Sequence, residues 1–235
     1  MAKKRRTASA SIQSSTGMPR RSAAKGPQRS RLVWLAALLG GALVVGVVVV
    51  LFIGFGGGAN ARGYSCGELL KSPADASTTD GFAPASLGDG HVSPGTRISY
   101  GFCPPTSGKH YNAAGRGPLR PGFYDPDDDV GPGGWVHNLE HGFVVALYRC
   151  VDGVCPSAED LARLRGFAAN GPPTQSAAAC GYRSKVLVAR FDDMRTPFAL
   201  LAWDRALLLD AFDENVALNF ASRWIEATGP EPNAC

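Results

Sequence analysis

Between Leu32 and Phe55 the chain runs for 24 residues without a charge, LVWLAALLGGALVVGVVVVLFIGF, and no other feature restricts its fold as much. As a helix rising ~1.5 Å per residue the run is about 36 Å long, enough to cross a hydrocarbon core of ~30 Å with some tilt. Residues 1–31 carry nine basic side chains (Lys3, Lys4, Arg5, Arg6, Arg20, Arg21, Lys25, Arg29, Arg31) and no acid, in a background of Ser, Thr, Ala, Gly and Pro too polar to bury a core. Basic residues crowd the N-terminal flank and are sparse after it. The charge bias therefore predicts a disordered cytoplasmic arm over 1–31, an uncleaved single-pass anchor over 32–55, and everything later outside the cytoplasm. A cleaved secretory signal is the alternative, since Ala59 to Ala61 offers a small-x-small site, but signal h-regions run only about 7–15 residues.

Charge divides along the same line. The 24 basic side chains less the nine of the arm leave 15 against all 20 acids, so the exported part is near −5 and the chain's net +4 belongs to the arm. An arm at the inner leaflet points to anionic lipid headgroups rather than nucleic acid, beyond its plain role as a topology signal. All six cysteines (Cys66, Cys103, Cys150, Cys155, Cys180, Cys235) lie beyond the anchor, which predicts three disulfides in an oxidising compartment. Only the CVDGVC turn suggests a pairing, Cys150 with Cys155; the other four cysteines stay unassigned.

Residues 56–90 read as a spacer and loop-rich lead-in with abundant Gly, Pro, Ser and Asp, and 229–235 as a C-terminal tail. Between them, over 91–228, TRISYGF, FVVALYRC, SKVLVARF and PFALLAW have strand character. PSAEDLARLRGFAANGPP is a helix with Ser157 as N-cap, and DENVALNFASRWIEA is a closing helix. The expected fold class is α+β: one exported domain with a small, mainly antiparallel sheet and two helices.

All four histidines fall between positions 91 and 141, and VHNLEHG packs three polar residues, His137, Glu140 and His141, in front of a buried strand. Gly142 has the place of a helix C-terminal glycine, so the motif is expected to form a single helical turn that hands over to a strand at Phe143. Imidazole and carboxylate suit Zn, Cu, Ni or Fe, and the expected ligands are His137, His141 and His110 from the Pro-Pro-Thr-Ser-Gly turn, with Glu140 or His91 from the lead-in completing the shell. Zn or Cu(II) fits such a set better than Cu(I), because the cysteines are tied up and Met194 is the domain's only methionine. The bland alternative is a metal-free interaction module in which the same residues brace the turn through hydrogen bonds.

Hydrolytic readings are weaker. H-x-x-E-H matches an inverted zinc-protease signature, yet Gly142 ends the helix that such a site needs. Ser107 or Cys103 beside His110 or His137 has the makings of a nucleophile, but no G-x-S-x-G elbow surrounds either. Walker, dinucleotide-binding and C-x-x-C patterns are absent, which removes nucleotide cofactors and dithiol redox chemistry.

The series YGFCPPTSGKHY, GFYD, VHNLEHGFVVALY, KVLVA and PFALLAWDR resembles the bacterial family catalogued as domain of unknown function 3105, over roughly residues 91–228. The resemblance implies one exported domain behind an N-terminal anchor, with His110, His137, Glu140 and His141 at motif positions. It assigns no role to Cys103 and supplies no activity.

Overall fold

The structure is a computed structural model that describes residues 63–235. The basic arm and the apolar run expected to be an anchor lie outside the described residues. Among those residues no helix is long and apolar enough to cross a membrane.

Among the described residues nine strands and four helices follow in the order β1 (Tyr64–Leu69), β2 (His91–Val92), β3 (Ile98–Cys103), β4 (His110–Tyr111), β5 (Gly122–Phe123), α1 (Pro132–Glu140), β6 (Val144–Tyr148), α2 (Ala158–Asn170), α3 (Gln175–Ala179), β7 (Val186–Arg190), β8 (Phe198–Ala202), β9 (Arg205–Leu209) and α4 (Glu214–Trp224). The class is α+β. The central sheet, ordered β5-β7-β6-β8-β9, is mixed rather than mainly antiparallel: β7 lies parallel between β5 and β6, and only β6–β8 and β8–β9 are antiparallel. The cause is the long connection through α2 and α3, which carries the chain back so that β7 runs in the same direction as β6. The two small sheets, β1–β3 and β2–β4, are parallel as well.

Both faces of the sheet are covered, and this explains why β6, VVALY, is buried at every residue instead of alternating. Val145, Leu147, Leu187 and Leu201 face Trp135, Val136 and Leu139 of α1 together with Ile98 and Tyr100 of β3. Val144, Ala146, Val188 and Leu200 face Leu164 and Phe167 of α2 and Phe220 of α4. Each Val, Leu, Ile or Phe side chain among these stabilises the fold by roughly 1.5–3 kcal/mol when fully buried. Ser157 caps α2 by accepting from the Asp160 amide at 3.1 Å, and Asp213 caps α4 in the same manner.

Among the described residues there are four helices, not two. The extra pair are α3 and α1, the latter nine residues long where a single turn was expected. Its sequence, PGGWVHNLE, holds two glycines and a proline, yet all nine residues are buried. Pro132 occupies the first turn, where a missing N–H costs nothing. Gly133 and Gly134 are tolerated because a Cβ at either would collide, with the Tyr111 ring in one case and with the Arg116 carbonyl oxygen at 2.7 Å in the other. Gly142, at φ +77°, ends the helix as its position suggested.

The loop-rich lead-in also contains structure, since β1 begins at Tyr64 and pairs with β3. Three disulfides close the fold: Cys150–Cys155 as expected, Cys66–Cys103, which ties β1 to β3, and Cys180–Cys235. The last draws residues 229–235 onto the body, where the Lys185 ammonium donates to the carbonyls of Pro232 and Ala234 and to that of His141.

Candidate metal centre

Three elements converge on one point. The short parallel pair β2–β4 sets His91 opposite His110, held by Gly108 N–H to Gly88 C=O (2.8 Å) and His110 N–H to Gly90 C=O (3.0 Å). Helix α1 packs beside β4, and its last turn presents His137 and Glu140, three apart and on one face. The imidazole rings of His91, His110 and His137 lie 4.8–5.0 Å apart, centre to centre.

Glu140 is their common neighbour. Its Oε2 stands 3.0 Å from His110 Nε2, 3.3 Å from His91 Nε2 and 3.9 Å from His137 Nε2. His110, His137 and Glu140 are buried, whereas the His91 side chain is 44% exposed, so solvent meets the cluster at His91.

The other ring nitrogens decide the chemistry. His110 Nδ1 donates to the Gly108 carbonyl at 2.8 Å and His137 Nδ1 to the Tyr111 carbonyl at 2.6 Å. In the neutral tautomer that leaves each Nε2 with a lone pair aimed at the cluster, the arrangement by which backbone carbonyls orient metal-binding histidines. Burial pushes the His137 pKa down from 6.5 to about 4, against the Tyr111 hydrogen bond, with His141 and His110 adding to the drop. His141 is lowered by burial too, opposed first by Glu231. Both shifts favour the neutral ring, the form in which a histidine binds a metal.

His91, His110, His137 and Glu140 can each offer one ligand atom within 4.8 Å of the others. His141 stands apart from this set: its Nε2 is 3.0 Å from His137 Nε2, and it forms a second group with Glu140 and Glu231. Glu231 falls in the segment expected to be a C-terminal tail and is not among the candidate ligands that the sequence singles out. The signal available was Cys235, whose need for a partner in the body brings its neighbours along.

Neither nucleophile candidate is free to act. Cys103 is bonded to Cys66. Ser107 donates to Asp204 at 2.6 Å and accepts from the Leu87 amide at 2.9 Å, so its hydroxyl braces the turn that carries His110.

The family model described as protein of unknown function (DUF3105) matches residues 91–235. The chain belongs to this family. The matched span includes all four histidines, Glu140 and Glu231. No curated protein and no solved structure matches the chain.

Proposed function

We propose that this DUF3105 protein is a membrane-anchored, extracytoplasmic domain that binds a transition-metal ion, Zn or Cu(II), through His91, His110, His137 and Glu140. The single observation that carries the reading is the pair of Nδ1–carbonyl hydrogen bonds at His110 and His137, which turns two buried Nε2 lone pairs toward a buried carboxylate. Placement outside the cytoplasm is supported by three disulfides and by the basic arm ahead of the apolar run. Anionic headgroups are the partner that suits the arm.

One observation favours the metal-free module. His110 Nε2 lies 3.0 Å from Glu140 Oε2 while Nδ1 already donates to Gly108, so an imidazolium would satisfy both contacts as a charged pair without any ion.

Metal content separates the two. The untagged full chain, purified in detergent, is expected to carry Zn or Cu and to melt lower after chelation, because an ion that binds only the folded state stabilises it by mass action. His137→Ala is expected to lose the metal. No bound metal, with a melting temperature indifferent to chelator, would leave the cluster as a hydrogen-bonded brace.

A further inference from the structure

Beyond the four-residue set lies a second group, Glu140, His141 and Glu231, whose ligand atoms also fall within 4.8 Å of one another. We infer that the centre is dinuclear: Glu140 bridges two divalent cations, one held by His91, His110 and His137, the other by His141 and by Glu231 from the C-terminal segment. The inference rests on the metal-binding reading above and extends it to a second site.

The spacing at His141 is the first argument. Ligand atoms about 2.0–2.1 Å from one ion at tetrahedral angles stand about 3.3 Å apart. His141 Nε2 and Glu231 Oε2 are 3.6 Å apart, too long for a hydrogen bond but suited to two ligands of one ion. The second argument is adjacency: His141 Nε2 lies 3.0 Å from His137 Nε2, whose ring is oriented by the Tyr111 carbonyl, so the two groups adjoin, and Glu140 belongs to both.

Attachment of Glu231 is the third. The segment bearing it is fixed to the site, since the Glu231 amide donates to the Glu140 carbonyl at 3.0 Å. Lys185 donates to the carbonyls of His141 and Pro232, which joins both sides of the second group. The second site offers two carboxylates and one imidazole, a harder set than the first, and Glu231 is 57% exposed, which leaves coordination positions for water. Paired ions of this kind, typically about 3.5–4 Å apart, clamp an anionic oxygen between them.

Stoichiometry tests the inference on the untagged full chain in detergent, stripped with chelator and dialysed against Zn(II). Wild type is expected to bind two Zn per chain and Glu231→Gln one, with the variant's fold checked by its melting curve before loading. One Zn in both proteins, or two in both, would overturn the second site and leave the first standing. No Zn in wild type would remove the metal-binding reading itself. With Co(II) the wild-type ions are expected to be exchange-coupled through Glu140; two uncoupled ions would refute the shared carboxylate.

Discussion

Lys185 gives the most quantitative test of how the C-terminal segment is held. Its side chain is fully buried, and its ammonium donates to three carbonyls, of His141 at 3.0 Å, Pro232 at 2.7 Å and Ala234 at 2.9 Å, with Glu226 Oε1 at 3.6 Å. Lys185→Met keeps the apolar stem and removes these donors. The partners are main-chain carbonyls, which cannot be exchanged for apolar groups, so the substitution leaves them and Glu226 under-satisfied instead of giving a well-packed apolar replacement. Removing one side of such a buried charged contact costs about 3–5 kcal/mol. For a folded unit of this size, about 2–4 °C per kcal/mol, the melting temperature should fall by about 6–20 °C. The Cys180–Cys235 bridge keeps the segment tethered, so the loss reflects the contacts rather than detachment of the chain end. Chemical denaturation of metal-stripped wild type and Lys185→Met, disulfides intact, measures the difference directly. A change under about 1 kcal/mol would refute the claim that Lys185 clamps this segment.

The metal-free protein should lose stability as pH falls below the ordinary histidine range: folding holds His137 near pKa 4, so between about 6.5 and 4 the unfolded chain binds a proton that the native state refuses. His141 acts in the same direction. Stability should therefore be flat above pH 7 and decline toward pH 4, and His137→Gln should show a shallower decline; equal slopes would contradict the burial argument. Gly133→Ala should destabilise by about 1–3 kcal/mol through collision with Tyr111, whose carbonyl orients His137, and should weaken metal retention as well; an unchanged melting curve would mean that α1 does not need this close approach. A periplasm-type reporter fused after Cys235 should be active only outside the cytoplasm and stay with the membrane fraction, whereas recovery of protein beginning at Arg62 in the medium would replace the anchor with a signal peptide. Cys180→Ala with Cys235→Ala should cost about 4 kcal/mol from the loop closed over a separation of 55 residues, read by denaturant titration.

Local pattern was enough for elements whose preferences agree with their surroundings. Ser157 ahead of an acidic first turn, the apolar run of β6 and Gly142 after the VHNLEH motif each carry their own instruction, and each takes the expected form. Confinement of four histidines to one stretch, with an acid among them, was likewise visible as a candidate ligand set. Tertiary structure alone decided the rest. PGGWVHNLE is a helix because its glycines admit Tyr111 and Arg116, contacts that no local window contains. The sheet is mixed because the α2–α3 connection, not the character of the strands, sets the direction of β7. Division of the histidines into two groups depends on β2 meeting β4 and on Cys235 reaching Cys180, which brings Glu231 to His141. Ligand type is a property of single residues and can be read along the chain; ligand grouping is a property of distances between segments far apart in sequence, and only the closed fold sets those.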